Sequence, residues 1–148
     1  MSRRVVFFPH SDEEFPDEYL LRNWLAGSLR TDRDGLYRIG PTYGLKDLEN
    51  GSIVFFVKNH LVVGLAVVEE SLRDITDGER VHYGWNDAED AVFKRYVRFF
   101  PESIWAFPVD KFIPTSKVAE VIDHKEFGQE FTLIEDLQKL LDILALLS

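Results

Sequence analysis

Apolar positions are densest between Ser52 and Glu70, in SIVFFVKNHLVVGLAVVEE. Two runs stand there, Ile53 to Val57 and Leu61 to Val68, joined by Lys58-Asn59-His60. Both are rich in β-branched or aromatic residues and too short for a good helix, so each predicts a strand. Asn59 tolerates the positive φ of a tight turn, and the pair predicts an antiparallel hairpin. Neither run alternates cleanly with polar residues, so both strands are expected to be buried on two faces, central in a sheet. Gly64 interrupts the second run and predicts a bulge or a close backbone approach. Asn50-Gly51 is a turn signal, and Leu45 to Leu48 predicts a short helical lead-in.

The flanking pattern supplies the other elements. Arg3 to Phe8 predicts a first strand ending at Pro9-His10. Ser11 and Glu14 have capping-box spacing ahead of a helix from about Asp17 to Leu29. Tyr19, Leu20, Trp24, Leu25 and Ser28 recur at helical spacing, with Trp24 as a core anchor. Thr31 to Gly44 reads as a glycine-rich loop carrying Tyr37 and Tyr43. Ser71 to Glu79 reads as polar and turn-rich, with Asp77-Gly78 as the turn. Val81 to Trp85 reads as an aromatic loop or edge strand, followed by a helical turn over Asp87 to Ala91. Phe93 to Phe100 and Ser103 to Val109 predict two strands, and Asp110 to Pro114 a turn. Thr115 or Ser116 would cap a short helix through Val121. After a turn over Phe127 to Phe131, Leu133 to Leu147 is amphipathic and predicts a final helix capped by Thr132, with Glu135 three residues on. Strands that pair with one another, flanked by a few helices, predict an α+β fold around a small curved mixed β-sheet or barrel.

Composition narrows the function classes. The 148 residues predict one domain, and cysteine is absent, so disulfides and thiolate zinc sites are excluded. No run is long enough to span a bilayer as a helix, and a cytoplasmic protein is expected. Scarce Asn and Gln beside many charges lean toward a thermophilic source. The net charge of −9 argues against nucleic-acid binding by bulk electrostatics, but allows a local basic strip on an acidic body. It also fits a domain of a larger protein.

No phosphate loop, ligand-spaced His pair or nucleophile elbow is present, so no catalytic residue, metal or cofactor is expected. The four His, at 10, 60, 82 and 124, are dispersed. What remains is an aromatic and polar set around the hairpin: Phe8 to Asp12, including His10, with Tyr37, Tyr83 and Trp85. Flat rings from two loops can sandwich a base, each stack contributing about 1–3 kcal/mol. Equally, Tyr37 and Trp85 can pack under long loops as a satellite core.

The stretch GLYRIGPTYGLKDLENGSIVFFVKNHLVVGLAVV resembles the PUA-like superfamily in its EVE and YTH branch. The resemblance rests on Gly35-Leu36-Tyr37, then Leu45, Leu48 and Gly51, then the hairpin with Val63-Gly64. It continues in Val81-His82-Tyr83-Gly84-Trp85, in Tyr96 to Pro108, and in Phe127-Gly128-Gln129-Glu130-Phe131. The last is similar to a turn in the N-terminal domains of McrB-type modification-dependent restriction enzymes.

The resemblance implies a nucleic-acid-binding module that flips a methylated base into an aromatic cage, with N6-methyladenine in DNA expected and a modified base in RNA as the alternative. Tyr37 and Trp85 would be the facing walls, about 7 Å apart if a base stacks between them. Ser11 and Asp12 would read the base edge, with His10 and Tyr83 alongside. Lys94, Arg95, Arg98, Arg33 and Arg38 would hold phosphates. Tyr37 stands where YTH domains usually carry Trp, which leaves the modification open. An AAA+ motor or nuclease is the expected fusion or assembly partner. An ASCH-like hydrolase of acylated nucleosides is the enzymatic alternative, recruiting Glu14, Lys94 and Thr42. A protein–protein adaptor using the final helix is a third.

Overall fold

The computed structural model describes residues 5–39, 48–85, 95–121, 132–134 and 137–147. The expected hairpin lies at its centre. Strand β3 (Ile53–Lys58) and strand β4 (Leu61–Asp74) pair antiparallel across a turn in which Asn59 and His60 have φ of 53° and 61°. Strand β1 (Val5–Pro9) runs parallel to β3, Val5 opposite Ile53 and Phe8 opposite Phe56. Strand β2 (Leu36–Ile39) pairs antiparallel with strand β5 (Arg95–Phe99), and β5 pairs in turn with β4. Strand β8 (Thr132–Ile134) covers the free side of β1, giving the order β2-β5-β4-β3-β1-β8. Short β6 (Trp105–Ala106) and β7 (Ile113–Pro114) pair with β4. The sheet is mixed and curved, and it does not close.

Curvature originates in β4. Its first half pairs with β3, β6 and β7, and its second half with β5. The register shifts between Val68 and Glu70 and again before Arg73, and such bulges bend a strand and increase its twist. The polar stretch from Ser71 is therefore the end of this long strand, and not a loop, as far as Asp74. Helix α2 (Asp77–Tyr83) follows, opened by a Thr76/Glu79 capping box and closed by Gly84 in the left-handed region. The expected turn at Asp77-Gly78 is thus the first turn of a helix.

Period-two alternation fills both faces of the central strands. Val6, Phe8, Val54 and Phe56 face one core, with Leu21, Leu25, Leu29 and Phe99. Val5, Phe7, Ile53, Phe55 and Val57 face the other, with Val62, Phe107, Ile113, Val118 and Ile143. Burying each such side chain stabilises by about 1.5–3 kcal/mol. Gly64 is held where the sequence placed it: a Cβ there would lie 2.7 Å from the Trp105 carbonyl oxygen and 2.8 Å from Leu25 Cδ1.

Helix α1 (Glu18–Trp24) is capped by Asp17, whose Oδ1 accepts from the Leu20 N–H at 2.9 Å. It continues into wider π-helical turns over Leu25–Asp32. Its buried stripe is Leu21, Leu25 and Leu29, while Tyr19 and Leu20 are exposed. The sheet, not the spacing of aromatics, selects the buried side. Ser11 and Glu14 do form the reciprocal bonds of a capping box, but on a turn ahead of α1. Helix α3 (Thr115–Val121) and helix α4 (Leu137–Ala145) flank the second core. The expected final helix from Leu133 therefore starts later. Thr132–Ile134 instead supplies hydrogen bonds to β1, whose outer side would otherwise be an unpaired edge. No helix among the described residues is long and apolar enough to cross a membrane.

Candidate functional site

A cavity of about 450 Å³ opens beside the C-terminal end of β1, lined by Glu13, Glu14, Phe15, Trp24, Arg33, Tyr37 and Arg38. That volume is within the range of small-ligand sites. Three elements build it. The turn after β1 brings Glu13, Glu14 and Phe15. Trp24 stands at the junction where α1 widens into π-helical turns, a distortion often found at functional positions. Tyr37 comes from β2, which is a strand and not the expected loop. The widened helix ends with Arg33 N–H bonding Ser28 C=O and Gly35 N–H bonding Leu29 C=O. Gly35 then passes so close to β5 that a Cβ would lie 2.1 Å from the Phe99 carbonyl oxygen. Its φ of +81° also requires glycine.

The aromatic walls meet edge to face. Trp24 lies 5.4 Å from Phe15 and 5.8 Å from Tyr37, at interplanar angles of 61° and 78°. Tyr37 packs on Phe8, Phe56 and Phe99 and is 9% exposed. Its hydroxyl is 2.6 Å from His10 Nε2, and His10 Nδ1 is 3.1 Å from the Val57 carbonyl oxygen. A carbonyl only accepts, so neutral His10 carries its proton on Nδ1 and Nε2 accepts from Tyr37. Burial pulls the His10 imidazole below its ordinary range, opposed in part by the Glu14 charge. Burial, reinforced by Glu14, pushes the Tyr37 phenol well above the usual range. The dyad is therefore neutral near pH 7, and its one shared proton sits on the tyrosine.

Two arginines complete the lining. The Arg33 guanidinium lies 5.4 Å from the Trp24 ring centroid and 5.7 Å from that of Trp85, and Arg38 lies 4.6 Å from Trp85. Trp85 itself stacks on Tyr83 at 4.6 Å and 19°, and Tyr83 donates to Asp34 Oδ2 at 3.0 Å. Burial and this bond push the Tyr83 phenol upward.

The expected pair of facing walls is corrected here. Tyr37 and Trp85 do not oppose each other across a cleft. Trp85 is 5% exposed, packs with Leu36, Ile75 and Tyr96 under α2, and is not among the residues lining the cavity. The reason is strand parity: Leu36 points to the Trp85 side of β2, and Tyr37 to the opposite side. Trp24, read as a core anchor, packs against the core and lines the cavity as well. His10 and Tyr37 are brought together, with Ser11 next to them in the turn. Asp12 is engaged by Lys58, a buried lysine at the end of β3, so its carboxylate is not one of the groups lining the cavity.

The basic strip also divides. Arg98 donates to the Asp34 carbonyl oxygen at 3.4 Å and shares a face with Arg38 and Trp85. Arg95 sits 4.0 Å from Asp74, on the other side of β5 by alternation. Lys94, Thr42 and Tyr43 lie outside the described residues. No cluster of His, Asp or Glu suited to a metal occurs among the described residues. Phe15 and Glu13 were not legible as cavity residues, and Glu14 entered only as a candidate of the hydrolase alternative, because the spacing of Ser11 and Glu14 signals a helix start.

No protein-family model matches the chain, and no curated protein matches it. Solved structures do. The N-terminal domain of Thermococcus gammatolerans McrB bound to m5C DNA superposes with a TM-score of 0.55 at 12% identity, covering 98% of this chain and 97% of that one. The YTH domain of the Zygosaccharomyces rouxii MRB1 protein in complex with N6-methyladenosine RNA gives 0.53 at 13% identity, covering 99% and 87%. ASCH from Zymomonas mobilis gives 0.52 at 12% identity, covering 97% and 96%. The fold is PUA-like, of the type these domains share.

Proposed function

We propose that this chain is a nucleic-acid-binding module that takes a flipped, methylated base into the cavity between Phe15, Trp24 and Tyr37. The observation that carries the proposal is the cavity itself, lined by three aromatic rings and two arginines. Rings offer stacking surface to a base and to an added methyl group. Arg33 and Arg38 offer charge to the phosphate that remains outside. Stacking of about 1–3 kcal/mol per base offsets an unstacking cost of a few kcal/mol. Support comes from two proteins of the same fold, one bound to m5C DNA and one to N6-methyladenosine RNA.

N6-methyladenine in DNA is the specific reading, within a single domain that serves as the targeting part of a larger assembly with an AAA+ motor or nuclease. Arg98, on the Arg38 face, extends the phosphate contacts. Arg95 and Lys94 remain candidates for contacts further along the strand.

The test is binding to matched DNA and RNA oligonucleotides that differ by one methyl group. The expected result is tighter binding of a methylated strand, lost on the order of 1–3 kcal/mol in Trp24→Ala. Arg38→Ala is expected to weaken methylated and unmethylated strands alike and to lower the salt slope by about one. Equal affinity for methylated and unmethylated strands would refute the reading. Release of acyl groups from acylated nucleosides by the wild-type protein would favour the hydrolase instead.

A further inference from the structure

Resting on that reading, we infer that Glu14 selects the base: it admits bases that turn an exocyclic amino group inward and rejects thymine and uracil. Three acidic side chains follow β1, and their surroundings separate them. Asp12 is held by Lys58. Glu13 and Glu14 both line the cavity, and among the described residues it is Glu14 that hydrogen bonds hold in place. Its Oε1 accepts from the Ser11 N–H at 3.1 Å and the Ser11 hydroxyl at 3.2 Å, while its own N–H bonds the Ser11 carbonyl oxygen at 3.1 Å. Oε2 has no hydrogen-bond partner among the described residues, so in a residue that lines the cavity it is available as an acceptor.

The neighbouring polar group is an acceptor too. The Tyr37 proton is committed to His10 Nε2, because the His10 proton faces the Val57 carbonyl. Only lone pairs of the Tyr37 oxygen remain for a ligand. Glu14 and Tyr37 line the same cavity, and Glu14 belongs to the turn that follows His10. Arg33 and Arg38 line the same cavity as donors. The cavity therefore offers a ligand both acceptors and cations. Adenine and cytosine offer N6–H or N4–H to such acceptors. Thymine and uracil offer a carbonyl oxygen at the same place, and two acceptors repel.

5-Methylcytosine and thymine are the decisive ligands, since they share the 5-methyl group and differ in amino against carbonyl at position 4, with N3 an acceptor in the first and an N–H donor in the second. Each is placed in one oligonucleotide opposite an abasic site, so that neither has a pairing partner to give up. Affinities are then measured for wild type, Glu14→Gln and Asp12→Asn, alongside N6-methyladenine against adenine and 5-methylcytosine against cytosine. Wild type is expected to favour 5-methylcytosine over thymine by about 10- to 150-fold, the range for a hydrogen bond to a charged group. Glu14→Gln keeps the oxygen that Ser11 needs but can turn its amide N–H to the thymine carbonyl, so the ratio should fall toward one. Equal binding of 5-methylcytosine and thymine by wild type would overturn the inference, as would a ratio unchanged in Glu14→Gln. A ratio lost in Asp12→Asn but kept in Glu14→Gln would overturn it as well. Absence of any methyl preference in wild type would instead defeat the modified-base reading itself.

Discussion

Replacing Tyr37 with Phe removes one atom from the centre of the site, and the structure sets the size of the effect. The ring contacts of Tyr37 with Phe8, Trp24, Phe56 and Phe99 at 5.6–6.1 Å survive, so no cavity forms. What is lost is the donor to His10 Nε2. His10 is 4% exposed, so water does not readily replace that donor. A buried acceptor left without a partner costs about 1–3 kcal/mol. His10→Phe strands the Tyr37 hydroxyl at a similar cost and also removes the Nδ1 bond to Val57. The Val57 oxygen keeps the His10 backbone N–H at 3.0 Å in either case. In the double variant both polar partners are gone and neither is stranded. Its loss should therefore be smaller than the sum of the single losses by both stranding costs, about 2 kcal/mol or more. Urea unfolding of the four proteins measures this, provided the m-values agree. Additivity to within about 0.5 kcal/mol would refute the reasoning, because uncoupled residues add to that precision. So would a Tyr37→Phe protein as stable as wild type.

Trp85→Ala should cost about 3–5 kcal/mol of stability, as for a buried aromatic, and half-buried Trp24→Ala clearly less; denaturant unfolding of both checks the order, and the reverse would return Trp85 to an open wall. Gly64→Ala should destabilise by about 1–3 kcal/mol, since the new methyl meets the Trp105 carbonyl oxygen on β6; a neutral change in urea would show that β6 yields freely. His10 has its folded pKa lowered by burial, so the unfolded chain binds the extra proton and stability rises with pH. The His10 contribution is complete above about pH 6.5 and is lost as pH falls below it, by at most about 1.4 kcal/mol per unit. The stability gap between wild type and His10→Gln should narrow from pH 7.5 to 5, and a constant gap across roughly that range would refute it.

The helix boundaries show where sequence reading stopped. Thr132 to Ile134 continues the leucine pattern of α4, yet it forms β8, because β1 has an open edge and backbone groups that need partners. Asp77 to Tyr83 carries a turn signal at Asp77-Gly78, yet the Thr76/Glu79 capping box starts a helix there. Its spacing was present in the chain but masked by the glycine. The division of Arg95 from Arg98 was legible too: residues three apart on one strand point to opposite faces, whatever their charge.

The amino-acid sequence alone determined the central hairpin, its Asn59 turn, its burial on both faces and the crowding at Gly64. These follow from local rules: side-chain period, turn sterics and the missing Cβ. It also singled out His10 and Tyr37. Tertiary structure alone decided how those residues are used. Whether Trp24 or Trp85 borders the cavity depends on which face of β2 each meets, and that is set by pairing with β5 about sixty residues away. Which of Asp12, Glu13 and Glu14 remains available depends on Lys58, delivered by β3 from across the sheet. Local propensity carries no information about such distant partners. Packing in three dimensions supplies it, because a buried charge or an unpaired strand edge is too costly to leave without one.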